Sequence, residues 1–113
     1  MAQSSYQNCI QACNECATAC HSCAAACLNE SDVQSLAKCI HLDLECASIC
    51  IAAAQVMSLN GELSEQLCQL CIEACDRCAK ECGQHDMDHC RQCAEACRNC
   101  AEVCSQMPVP AQA

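Results

Sequence analysis

The sequence has no tryptophan, no phenylalanine and one tyrosine, Tyr6, which excludes an interior built on aromatic rings. Basic residues are also scarce. Five Lys and Arg stand against 14 Asp and Glu, for a net charge of −9. That balance argues against nucleic acid, whose affinity rests on cations that neutralise phosphates. The acids are spread along the chain, as on a solvated surface. "MAQSSYQNC" lacks the basic start and apolar region of a secretory leader, and no apolar run approaches membrane length. A cytoplasmic protein is expected, with no membrane partner and with its thiols kept reduced. Strands are excluded as well, because nothing in the apolar pattern repeats every second residue.

What the sequence does have is cysteine. The 53% hydrophobic share rests largely on alanine and on 19 cysteines, an odd number that cannot pair completely within one chain. Either the thiols are the core, or something bound to them is. They fall into four groups: Cys9, Cys13, Cys16, Cys20, Cys23 and Cys27; then Cys39, Cys46 and Cys50; then Cys68, Cys71, Cys75, Cys78 and Cys82; then Cys90, Cys93, Cys97, Cys100 and Cys104. Steps within a group are three, four or seven, so at ~100° per residue the first group lies in a stripe roughly 80° wide on a helix.

Between the groups stand breaks: "NESD" at 29–32, "LNGELS" at 59–64 and "CGQHDMD" at 82–88. Ser31 or Asp32, Ser64 and Asp86 are the candidate N-caps, Asn60, Gly61 and Gly83 the candidate stops, and Pro108 and Pro110 end the last helix. Helices are predicted near 4–28, 33–58, 63–82 and 87–106. Short loops make neighbours antiparallel. The expected fold is all-α, an antiparallel up-down-up-down four-helix bundle with a cysteine-lined core, formed by residues 1–113 as one metal-binding domain.

The inward register of the second helix is Leu36, Cys39, Asp43, Cys46, Cys50, Ala53, Met57. Tyr6, Met57, Leu63, Leu67 and Met107 are expected to seal one end with apolar side chains. The other end holds the Cys27–Cys39 connection and the loop "HDMDHC", residues 85–90.

Cysteine in place of leucine along a bundle seam forfeits on the order of 1 kcal/mol per position, and a domain has only ~5–15 kcal/mol to lose. Bound metal is the compensation, and thiolate suits Cu(I), zinc and iron–sulfur clusters. Zinc on four thiolates carries −2, which repeated along the tube buries uncompensated charge. Four inward thiols at each level would also be needed, yet the second helix offers three in all. A monovalent ion at about one per thiolate leaves the interior neutral, and i, i+3 or i, i+4 pairs supply its two sulfurs. Iron–sulfur motifs sit on irregular loops, with a spacing absent here. The cofactor expected is Cu(I), many ions per chain.

With those residues in view, the chain resembles the bacterial copper storage proteins, cysteine-rich four-helix bundles that hold Cu(I) inside. The resemblance rests on the first cysteine ladder, on "CIHLDLECASIC" at 39–50 and on "ECGQHDMDHCRQCAEACRNCAEVC" at 81–104, and it favours the cytosolic branch. It implies Cu(I) held mostly by cysteine pairs, a homotetramer, and a role in keeping copper safely bound. In that family the loop tends toward H-x-H-x-H-C; here Met87, also a Cu(I) ligand type, stands between His85 and His89 before Cys90.

All 19 cysteines are thus candidate ligands, joined by Asp43, His85, Met87 and His89. Asp43 lies in the core register, where an unpaired carboxylate is costly, so it meets metal, a histidine or water near the open end, unless the bundle splays there. A loop methionine such as Met87 also has the plain alternative of packing on the bundle end. His21 and His41 stand off the stripes, as surface residues. Metal is expected to pass in beside His85, Met87 and His89 and to fill the tube toward the sealed end. No nucleophile–base pair outside the thiols, phosphate loop or open zinc site argues for an enzyme. A thiol redox protein and a zinc or heavy-metal sponge are the alternatives, and any copper donor or acceptor protein is unspecified.

Overall fold

A computed structural model describes residues 2–106, with side chains from residue 6 onward. It has four helices: α1 (Ala2–Leu28), α2 (Ala37–Ser58), α3 (Ser64–Cys82) and α4 (Asp88–Ser105), with a 3-10 turn at Val33–Leu36 leading into α2. Around the square, α1 packs on α2 and α4, and α3 packs on the same two, while the diagonal pairs, whose backbones stand further apart, meet only through inward side chains. The Cα envelope is 53 × 18 × 16 Å, long and narrow. Small inward side chains explain the narrowness, because Cys and Ala let neighbouring helices approach closely.

All 19 cysteines are buried, flanked by Ala12, Ala17, Ala24, Ala47, Ala54, Ala79, Ala94 and Ala101. Leu36 and Met57 are the bulky aliphatic side chains buried among the described residues. The whole register expected on the second helix, Leu36 through Met57, is buried, Asp43 included. The alternative in which the bundle splays and wets Asp43 is therefore excluded. Val33–Ser58 is long and apolar enough to cross a membrane, contrary to the expectation that no run approaches that length. Its inward face of thiols and a carboxylate instead packs against α1 and α3.

The apolar seal is partial. Met57 is buried and Tyr6 and Leu67 pack against the core, but Leu63 is exposed because the α2–α3 turn carries it outward. Met107, Pro108 and Pro110 lie outside the described residues. Leu36, in the 3-10 turn against α1 and α2, closes a corner near the opposite end.

The expected caps are displaced. Leu63 and Met87 occupy the N-cap positions of α3 and α4, and neither makes a side-chain cap bond. The Ser64 hydroxyl turns back to donate to the Gly61 carbonyl at 2.7 Å. At α4, Asp88 rather than Asp86 supplies negative charge to the first turn, where it favours the helix dipole, and Arg91 bonds both Asp88 and the Asp86 carbonyl. Asp32 precedes the 3-10 turn but makes no side-chain cap bond there. Gly83 ends α3 with ordinary helical dihedrals.

The α2 terminus is a Schellman motif: Gly61 N–H donates to Val56 O at 2.9 Å and Asn60 N–H to Met57 O at 3.0 Å. Asn60, not Gly61, takes the left-handed conformation, with φ of 52°. Gly61 is required by proximity, since a Cβ there would lie 2.8 Å from Val56 Cγ1 and 3.1 Å from Val56 O. Gly61→Ala is expected to destabilise the reduced, metal-free protein by about 1–3 kcal/mol, the usual range for overpacking. Urea unfolding followed by circular dichroism checks it.

Candidate metal centre

Each helix turns one stripe inward, so sulfurs from different helices meet at nearly every level. Cys13 Sγ lies 3.6 Å from Cys71 and 3.8 Å from Cys100. Further along, Cys16 lies 3.7 Å from Cys97 and 3.8 Å from Cys75, and Cys50 is 3.6 Å from Cys71. Toward the loop end, Cys20 lies 3.8 Å from Cys93, Cys23 is 3.8 Å from Cys90, and Cys39 is 3.4 Å from Cys82. Cys68 differs, turning its Sγ to the Cys104 carbonyl at 3.5 Å.

Sets of four sulfurs lie within 4.8 Å of one another: Cys13, Cys71, Cys100 and Cys104; Cys16, Cys46, Cys50 and Cys75; Cys16, Cys20, Cys46 and Cys97; Cys20, Cys78, Cys93 and Cys97; and Cys23, Cys27, Cys39 and Cys90. This corrects one sequence argument. Three thiols on α2 do not prevent fourfold sets, because some sets take two sulfurs from one helix and others omit α2 altogether. What still separates the metals is sharing and charge. Cys16, Cys20, Cys46 and Cys97 each belong to two sets, so the sulfurs form one continuous lattice rather than isolated tetrahedra. The only charged or polar side chains buried among the described residues are Asp43 and Ser64, so no buried Lys or Arg offsets the −2 of a zinc tetrathiolate.

Cys9 and Cys104 depart from the expectation of fully reduced thiols. They are joined as a disulfide between the start of α1 and the end of α4, with Cα atoms 5.3 Å apart. The other 17 cysteines are free and buried. In the bonded form Cys9 and Cys104 have no thiolate to offer a metal.

Asp43 stands where the lattice is thinnest on α2. Its Oδ1 accepts from Cys78 and Cys93 at 3.2 Å each and from Cys82 at 3.4 Å, and its Oδ2 faces Cys39 at 4.0 Å. The sequence asked whether it meets metal, a histidine or water; in this structure it meets thiols. Burial, then the charge of Cys93 and the bond from Cys78, raise its carboxyl to about 10. Burial likewise pushes the Cys27 and Cys68 thiols up to about 11. These three groups keep their protons in the metal-free protein, and a cation arriving beside them exchanges with protons.

The loop residues separate. His89 points its Nδ1 at Cys23, Cys90 and Cys27, at 3.5, 3.6 and 3.9 Å, and its Nε2 bonds Glu30 Oε2 at 2.9 Å. His85 is turned away, with its Nε2 2.9 Å from Glu81 Oε2. Met87 packs against the core, the plain alternative for a loop methionine. His21 and His41 are exposed, as expected. Glu30 was missed by the sequence reading, which took "NESD" only as a turn. Fifty-nine residues separate it from His89, so no spacing could flag it.

A helical bundle whose interior is a lattice of buried thiols, with one carboxylate among them and a histidine at its mouth, defines a protein that holds soft metal ions inside its core. The chain belongs to the copper storage protein family, whose sequence profile matches residues 2–109. It is similar to a Cu(I)-bound copper storage protein, BsCsp3, at 44% identity and a TM-score of 0.89 over 93% of this chain and 99% of that one. It is also similar to a cytosolic copper storage protein from Streptomyces lividans carrying five coppers, at 39% identity and a TM-score of 0.88 over 94% and 93% of the two chains. An uncharacterized cysteine-rich protein of Bacillus subtilis, YhjQ, is 46% identical over 81 residues, which is 72% of this chain and 75% of that protein.

Proposed function

We propose that this protein stores and buffers Cu(I) in the cytosol, holding many ions on the thiolates of its core. The observation that carries this reading is the shared sulfur lattice with no buried cation beside it. Monovalent copper at about one ion per thiolate neutralises such a lattice, and bridging thiolates suit ions placed at every level. The ligands are the cysteines of all four helices, with Cys9 and Cys104 joining once their disulfide is reduced. Asp43 joins them by releasing its proton. Copper passes in at the His89 end, with His85 and Met87 beside the path, and the tube fills toward Met57. The copper-loaded relatives and the cytosolic description of one of them support the cargo and the compartment. The whole chain acts as one metal-binding domain, without catalysis. Homotetrameric assembly rests on the family resemblance and is supported by the exposed Leu44 and Leu70 on neighbouring helices.

Anaerobic titration of the reduced protein with Cu(I), against a chromophoric chelator, tests the reading. Uptake is expected to continue to about one ion per thiol. Saturation at two or three ions per chain contradicts storage, and tight zinc that copper cannot displace returns the sponge reading.

A further inference from the structure

The mouth of the tube contains an interaction that copper storage does not by itself require. Glu30, in the loop after α1, reaches across to α4 and bonds His89 Nε2 at 2.9 Å. Its carboxylate is partly exposed and the imidazole is three-quarters covered. A carboxylate only accepts hydrogen bonds, so the ring nitrogen that faces it carries the proton. In the neutral ring the other nitrogen, Nδ1, is then left with its lone pair. That lone pair faces Cys23, Cys90 and Cys27 at 3.5, 3.6 and 3.9 Å. With Cys39, these three form the set of four sulfurs nearest the loop end.

From this arrangement we infer that Glu30 is the positioning residue of the mouth histidine: it holds His89 in the Nε2–H tautomer, so that Nδ1 is offered to each Cu(I) ion reaching Cys23, Cys27 and Cys90. This rests on the storage reading and adds the device that admits the ion. The opposite tautomer would put a proton on Nδ1 and aim a donor at the sulfurs, which neither binds a cation nor welcomes one. An outer carboxylate that orients a ligating imidazole typically changes metal affinity or activity by about 10–100-fold when removed. The second histidine–carboxylate pair of the loop, His85 with Glu81, shows that pairing alone does not make the device. The two are four residues apart across the end of α3, and the His85 nitrogen that makes the bond is given to a carboxylate rather than to sulfur. Among the described residues it is Glu30 that backs a histidine facing sulfur, and it does so from the loop after α1 to α4.

Two measurements test the inference. The first needs no variant and no metal: nitrogen-15 spectra of the histidine side chains in the reduced apo-protein, at mildly alkaline pH. His89, assigned by its loss in His89→Ala, is expected as the Nε2–H tautomer. An Nδ1–H tautomer, or an even mixture, overturns the inference whatever the copper capacity proves to be. The second is the rate at which the first equivalent of Cu(I) passes from a chromophoric chelator to the protein. Glu30→Ala is expected to slow it about 10-fold. Glu30→Gln, whose amide oxygen still accepts from Nε2–H, should recover most of that rate. Adding Glu30→Ala to His89→Ala should cost nothing further. A merely structural tie between the loop and α4 would instead slow Glu30→Ala and the double variant alike, together with a lowered melting temperature, and that result counts against positioning. Failure of the wild-type protein to take more than two or three ions would remove the storage reading alone.

Discussion

Filling the tube with Cu(I) is expected to raise the melting temperature of the reduced protein by more than about 20 °C. Any ligand that binds only the folded chain adds stability by mass action, about 2.7 kcal/mol for a site held at a hundredfold its dissociation constant. For a domain of about 100 residues each kcal/mol moves the transition by roughly 4–8 °C. A few ions, each bridging sulfurs of different helices, are enough to reach that figure. The metal-free form lacks compensation, because its core is cysteine and alanine with Leu36 and Met57 as its bulky aliphatics. Differential scanning calorimetry under anaerobic conditions, on apo and loaded protein, gives the answer. A shift below about 5 °C would mean that the ions sit on the surface or on too few sites to hold the helices together.

The second large effect is a fall in the stability of the metal-free protein as the pH rises, carried by Asp43. The folded chain keeps this proton up to about 10, against an ordinary value of 3.8. Below 3.8 both states are protonated and the contribution is complete; above it the unfolded chain releases a proton that the folded chain retains. Stability therefore drains away as the pH climbs through that window, with a slope on the order of 1 kcal/mol per pH unit. Asp43→Asn has no proton to lose and should flatten the dependence, leaving the apo variant more stable than wild type at neutral pH. The difference between wild type and variant in urea unfolding from about pH 5 to pH 8 isolates this group, because the thiols titrate in both proteins and the raised ones, Cys27 and Cys68, do so only at higher pH. Parallel curves for wild type and variant would show that Asp43 is ionised in the empty tube. Copper binding should reverse the sign, since a cation beside the carboxylate favours its charged form.

How far the molecule could be read from its sequence differs from one residue to the next. The seven inward positions of α2 followed from periodicity alone, because a helix repeats its faces every 3.6 residues whatever surrounds it. Cap positions did not follow. Ser64 and Asp86 have the right side chains, but the caps fall one residue earlier at α3 and one residue later at α4, on Leu63 and Met87. The stop after α2 is legible in Asn60 and Gly61, but not how the two divide it: Asn60 turns the chain, and Gly61 makes room for Val56. Leu63 was placed in a seal that the turn geometry keeps it out of.

The sequence by itself determined that four thiol stripes would face one another, that Asp43 would share the register of its helix's stripe, and that soft monovalent metal would balance their charge. Spacing and composition are local properties, and a thiol at every turn has few physical explanations. Only the tertiary structure decided which sulfurs meet. It built fourfold sets without a full contribution from α2, bonded Cys9 to Cys104, and gave the Asp43 carboxylate to Cys78, Cys82 and Cys93. It also chose between the two loop histidines, turning His85 to Glu81 and His89 to the thiols with Glu30 behind it. Such choices depend on distances between helices and on the path of each turn. Those are set by the packing of residues far apart in the chain, to which a local repeat is blind.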